Sequence, residues 1–240
     1  MSVRVPTPLH GWRAFIGEVG VIVLGVLLAL GAQQLVQDVQ MRSAVREFRR
    51  TINHEIGLNL FVYQVRTRGS DCNEKRLKEL TDWVMSARDG QSLPKIIAAA
   101  PMTLSPYRSA WDTRDGDVFA HVPAKDRQKY AEFYDELESN SLIIQKELDE
   151  WLQLQRFALP GPVSLEDRRM LYGHVRTARI FNRVWAPNMD ISNKIAAELG
   201  VKSIKPDTVS DELLKQVAVC QPTFEQPEGK DVAVGSAARS

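Results

Sequence analysis

The stretch Val19–Ala32, VGVIVLGVLLALGA, decides the fold. It is apolar all round, Glu18 leads it, and no turn former separates it from the polar helix pattern beyond. A bilayer-crossing helix needs ~20 residues at 1.5 Å rise. The run alone is shorter, but Phe15–Val36 reaches that length, with Glu18 near one interface and Gln33 and Gln34 near the other. Trp12 and Phe15 stand at the near edge, where aromatic rings favour the headgroup zone. The expected organisation is a short flank 1–14, a transmembrane helix 15–36, a helical domain 37–220 and a disordered tail 221–240. Two other readings exist. A cleaved signal peptide would use the small-x-small pattern at Ala29-Leu30-Gly31, but Glu18 abuts the run and the helix continues unbroken. A buried core helix would show one apolar stripe rather than apolarity all round.

The 240 residues are 44% hydrophobic and 25% charged, which suits one span plus one domain with its own core. A net charge of +1 gives no global basis for binding nucleic acid or another polyanion. After Cys220 the chain turns rich in Pro, Gly, Ser and Ala, with little to bury. The two cysteines, Cys72 and Cys220, each stand at the edge of an expected helix. A bond between them would close a long loop, worth roughly 4–5 kcal/mol in the chain-entropy treatment, and only in an oxidising compartment. Two separate buried thiols are the other reading.

Glu18, Ile22, Gly25, Ala29 and Ala32 share one helical face. Gly25 and Ala29 make a small-xxx-small pair, which lets helices approach closely in lipid. A carboxylate on that face either meets a partner helix or sits among the headgroups. The anchor is thus a candidate for self-association.

Gly17-Glu18-Val19 and Leu24-Gly25-Val26-Leu27-Leu28-Ala29-Leu30, then an Arg-rich helix and Glu55-Ile56-Gly57-Leu58-Asn59, resemble a family of bacterial membrane proteins of unknown function. Ser109-Ala110-Trp111-Asp112 with Gly116 is similar to a later element of that family. The resemblance covers Phe15–Asn59 best; Gln33-Gln34 departs from it. It implies a single-span, mostly helical protein and no particular activity. Orientation is divided. Arg42, Arg46, Arg49 and Arg50 outnumber Arg4 and Arg13, which favours a cytoplasmic domain by the positive-inside rule. They begin roughly two turns beyond the anchor, however, and large domains translocate despite such charge. The cysteine pair points outward, so the expected place is the inner membrane with a periplasmic domain.

Beyond the anchor, Met41, Val45, Phe48 and Ile52 form a helical stripe. Heptad spacing continues it through Glu55, Asn59 and Val62; the natural 3.6 period continues it through Ile56, Leu60 and Tyr63. The first makes Glu55 and Asn59 a buried polar pair, and the second, which is the blander, puts them at the rim. Gly69 ends this helix. Asp71 with Glu74 suggests a capping box for the next, whose buried face is Leu77, Leu80 and Val84. Short helices are expected at Lys95–Ala100 and Pro106–Thr113 within an irregular stretch 91–123. A long helix follows over Ala124–Ala158, with Tyr130, Tyr134, Leu137, Ser141, Ile144, Leu148 and Trp151 at heptad spacing. Pro160-Gly161-Pro162 stops it, Ser164 with Asp167 starts the next, Pro187 can kink or divide that one, Gly200 closes the following stretch, and Ser210 introduces a last short helix, Asp211–Val219. The fold class expected is all-α: a transmembrane helix continuing into a long helix, then an antiparallel helical bundle.

Catalytic signatures are missing. None of His10, His54, His121 and His174 has another His three or four residues away, and no Glu-x-x-His repeat exists for a di-iron bundle. Asp112, Asp115, Gly116 and Asp117 have the wrong order for a calcium loop. No phosphate loop or nucleophile elbow occurs, so no cofactor or metal is expected. The leading expectation is a non-enzymatic membrane-anchored protein that scaffolds or binds a partner. A ligand-sensing bundle and an enzyme with a site near Trp111, Asp112 and His121 are the alternatives.

Overall fold

The computed structural model describes residues 12–159 and 161–225. The flank before Trp12, with Arg4 and His10, lies outside the described residues, as do Pro160 and the expected tail beyond Glu225. The described chain is all-α: α1 (Trp12–Arg68), α2 (Ser70–Ser86), α3 (Ser109–Asp112), α4 (Gly116–Ala120), α5 (Ala124–Gln155), a 3-10 turn at Arg156–Ala158, α6 (Leu165–Glu198) and α7 (Asp211–Ala218). Its contacts divide it into two compact units: α1 up to Thr51 with Arg114–Pro123, and Ile52–Thr113 with the residues from Ala124 onward.

In the first unit, α1 holds one stretch long and apolar enough to cross a membrane. Its side chains stay uncovered: Val21 is 72% exposed and Leu28 65%. Toward its end, Phe48 meets Phe119 edge-on at 5.8 Å, and the Arg114 guanidinium lies 5.6 Å over the same ring. Asp115 caps α4, accepting from the Asp117 and Val118 N–H groups.

In the second unit, α6 runs antiparallel to α5, as the Glu150–His174 (2.8 Å) and Asn140–Asn188 (2.5 Å) pairs show. It is antiparallel to α2 as well, through Thr81–Arg179 (3.2 Å) and Ser70–Asn182 (2.9 Å). The last turns of α1 run parallel to α5: Asn53 pairs with Tyr130 (2.9 Å) and Tyr63 with Asn140 (3.0 Å). Residues 87–123 carry the chain back to allow this. Leu77, Leu80, Trp151, Leu154, Leu171 and Val175 centre an apolar cluster between α2, α5 and α6. A smaller one joins Phe61 and Val65 to Val209, Leu213 and Leu214.

Several local expectations are met by chemistry on the spot. Ser164 and Asp167 form a full capping box, Ser210 caps α7, and Gly200 closes α6 at φ 72°, a left-handed value that favours glycine. Pro187 does not divide α6, which continues to Glu198.

Others are corrected. α2 has Gly69 at its cap and no capping box, because Glu74 is drawn to Arg179 and Arg183 on α6. Lys95–Ala100 is not helical: it runs alongside Thr223–Glu225, with Ile97 N–H donating to the Thr223 carbonyl (3.0 Å) and Glu225 N–H to that of Lys95 (2.9 Å). The ordered chain therefore extends beyond residue 221, and Thr223 is buried. The heptad seam of α5 is buried at Tyr130, Tyr134, Leu137 and Trp151 but not at Leu148, which is 45% exposed. Asn140 and Glu147 are buried instead of Ser141 and Leu148: with Phe133 and Leu154 they form a heptad-spaced row that stands one residue before the second row of the sequence seam.

Around Ile52–Arg66 helix α1 is enclosed on several sides. Ile56, Leu60 and Tyr63 are buried, and so are Glu55, Asn59 and Val62, so both continuations of the sequence stripe are covered. Gly57 is the point of closest approach: Ile204 N–H donates to its carbonyl at 2.9 Å. A Cβ there would lie 2.7 Å from Ile204 Cδ1 and 2.8 Å from the Lys202 carbonyl oxygen. Gly57→Ala is expected to lower stability by about 1–3 kcal/mol through this overpacking. Gly173→Ala, on α6 with nothing within 4 Å, should be neutral or stabilising by helix propensity. Urea denaturation of the solubilised chain compares the two; equal midpoints would show that segment 202–204 is not packed against Gly57.

Candidate functional site

Glu55 and Asn59 are one helical turn apart on α1, and together they hold the backbone of Tyr107–Trp111. The Asn59 amide makes a two-way pair with Tyr107, donating to its carbonyl (2.7 Å) and accepting from its N–H (2.8 Å). The Glu55 carboxylate stands at the start of α3, where the first N–H groups of a helix have no partner of their own. It accepts from Ala110 N–H (2.7 Å), Trp111 N–H (3.2 Å) and the Ser109 hydroxyl (3.2 Å). The Tyr134 hydroxyl of α5 donates to it as well. Trp111 stacks flat on Tyr134, ring centres 4.5 Å apart. Burial, then the bond to Glu55 and its charge, push the Tyr134 phenol well above its ordinary range, so it stays a proton donor. Glu55 is 5% exposed and Asn59 0%, so the pair does not lie at a rim. Nor does it set a coiled-coil register: its partners are an irregular segment and a tyrosine.

A second constellation closes the end of α1. The Arg66 guanidinium forks onto Glu147 of α5, its Nε 3.0 Å from Oε2. It also donates to Asn182 Oδ1 of α6 (3.2 Å) and to the Ser70 hydroxyl of α2 (3.3 Å). Trp185 Nε1 supplies a further donor to Glu147 (3.0 Å), and its ring lies 5.2 Å under the guanidinium. A third, smaller chain links the Tyr63 hydroxyl, Asn140 and Asn188. Burial pushes the Tyr63 phenol up to about 12, against the lowering effect of the bond it accepts from Asn140.

These groups hold rather than react. The Glu55 and Glu147 carboxylates are each occupied by several donors, which leaves little capacity for proton transfer to a substrate. The candidate enzyme residues do not assemble into a constellation within either unit. Trp111 is in the tyrosine stack, Asp112 pairs with Arg108 at 3.5 Å, and His121, of the other unit, is held by the Asp117 carbonyl at 2.8 Å. Among the described residues, no group of three or more His, Cys, Asp or Glu is placed to hold a metal ion.

Cys72 and Cys220 form a disulfide across 148 positions. Beside it, Arg76 Nε donates to the Gln221 carbonyl at 2.9 Å. Glu18, Gly25, Ala29 and Ala32 lie exposed on α1, with nothing within 4 Å of a Cβ built on Gly25. Arg66 and Asn182 were not singled out by sequence, Tyr134 stood there only as a seam residue of α5 and Gly57 only within the motif that carries the resemblance. Glu147 carried a signal, since at the 3.6 period it falls in the stripe with Asn140 and Trp151. Comparison of the chain with protein-family models, curated proteins and solved structures gives no match.

Glu55→Gln places an amide N–H₂ among donors and is expected to destabilise by about 2–4 kcal/mol. Denaturant unfolding reads this, and a loss below about 0.5 kcal/mol, which is ordinary for a surface change, would mean the carboxylate is not needed there. The Tyr63 phenol is raised in the folded state, so its stabilising effect is complete below its ordinary pKa of about 10 and is lost as pH climbs toward about 12. Unfolding followed across that window should show a falling midpoint in the wild type and a shallower fall in Tyr63→Phe.

Proposed function

We propose that this chain is a single-span protein of the bacterial inner membrane, anchored by the apolar part of α1. Its second unit lies on the periplasmic side and scaffolds or binds a protein partner there. The observation that carries this reading is an uncovered apolar stretch in the same chain as a disulfide-closed helical unit. Uncovered apolar side chains on all sides of a helix at this density favour lipid as their surroundings. A disulfide that joins residues so far apart persists in an oxidising compartment. The resemblance of Phe15–Asn59 to single-span bacterial proteins points the same way. The buried carboxylates favour a binding role over an enzymatic one, because their lone pairs are committed to the fold. In this reading Arg42, Arg46, Arg49 and Arg50 meet anionic headgroups, each worth ~1 kcal/mol near such a surface. Glu18, Gly25, Ala29 and Ala32 form the face through which two anchors associate.

A reporter fused to the C-terminus, active only outside the cytoplasm, tests the topology beside a non-reducing gel. An active reporter with Cys72 and Cys220 oxidised is the expected result. An inactive reporter with both thiols open to alkylation refutes the placement.

A further inference from the structure

Next to the disulfide, a cavity of about 130 Å³ lies between the end of α1, the start of α2, residues 99–102 and residues 216–221. That is roughly ten times the space a single water needs, enough for a molecule of a few heavy atoms. Part of its wall is apolar, from Val65, Met102 and Val219; its polar side includes Asn73, Arg76 and Arg66. Asn73 is 3% exposed, and its Nδ2 is buried without a hydrogen-bond partner. A buried donor left unmatched destabilises the fold, and an acceptor in the cavity would recover that loss. That nitrogen lies 3.8 Å from where a Cβ on Gly69, another wall residue, would stand. Arg76 is 8% exposed and gives only its Nε to the chain, at Gln221. Burial lowers its pKa, and Glu79 opposes this; Arg76 also borders an outer groove, and Glu79 lines that groove and not the cavity. The other wall arginine, Arg66, is already committed to Glu147.

We propose that this cavity is a binding site for a small monocarboxylate, whose oxygens take the Asn73 amide and the Arg76 guanidinium while a short apolar tail meets Val65 and Met102. Two donors, one of them cationic, call for an anionic acceptor; a guanidinium matches a carboxylate edge on. The residues belong wholly to the second unit, so the site stands whether or not the chain proves to be membrane-anchored.

Calorimetric titration of the oxidised full-length chain in detergent, with acetate, propionate and acetamide as probes, tests it. Saturable binding of a carboxylate and none of acetamide is expected. Arg76→Gln should weaken it on the order of tenfold, the usual loss for one charge-assisted bond. Because Arg76 also steadies Gln221, Gly69→Ala is the companion variant. Its backbone is already helical (φ −85°) and the new methyl meets the Asn73 nitrogen at ordinary contact distance, so the fold is kept, while the methyl takes up cavity space beside that nitrogen and lowers affinity with no fall in melting temperature. No saturable heat with either carboxylate, equal binding of acetamide, or wild-type affinity in both variants overturns the proposal.

Discussion

Taking a guanidinium out of water costs several kcal/mol unless its donors are matched, and Arg66 at the end of α1 is 1% exposed. Its match comes from every neighbouring helix at once: Ser70 from α2, Glu147 from α5, Asn182 from α6, with Trp185 completing the carboxylate. Apolar burial between the same helices is non-directional and tolerates small slips. A forked ion pair with side bonds does not, since one misplaced helix leaves a buried charge unpaired. The apolar clusters thus supply attraction, and this network selects one arrangement of the four helices. Glu55 and Asn59 repeat the logic two turns earlier, where the matched groups are backbone N–H and C=O of an irregular segment.

What could be read from sequence was local. Helix stops at Gly69 and Gly200, caps at Ser164 and Ser210 and the apolar run of α1 depend on neighbours within a turn, and these reach the structure unchanged. What could not be read depended on partners far along the chain. Lys-Ile-Ile-Ala-Ala-Ala at 95–100 carries good helix formers, yet its backbone groups bond to Thr223 and Glu225. Glu74 stands where a capping box would use it, and long-range arginines take it instead. On α5 the polar Asn140 and Glu147 occupy buried positions because their partners, Tyr63 and Arg66, lie on another helix. The Glu55–Asn59 pair was visible as a pattern, while its task, holding Tyr107–Trp111, was not.

The polar interior also bears on how reactive the molecule is. Tyr63 and Tyr134 are kept protonated by burial, and Tyr134 also by the Glu55 carboxylate to which it donates, while the Tyr63 oxygen accepts from Asn140. A satisfied network of this kind is stiff. Asn73 Nδ2, a buried donor without a partner among the described residues, stands beside the disulfide, where the C-terminal segment is tied down by one covalent bond and by a few backbone pairings.

The distance along the chain between Arg66 and Asn182, 116 residues, has a consequence for biosynthesis. At ~5–20 residues per second, α1 leaves the ribosome on the order of ten seconds before the last helix of its charge network exists. Until then Glu55, Asn59 and Arg66 remain hydrated, and these polar groups interrupt a face that would otherwise be a continuous apolar strip of Ile52, Ile56, Leu60 and Tyr63. The residues that later lock the interior therefore also keep its central helix soluble while it waits.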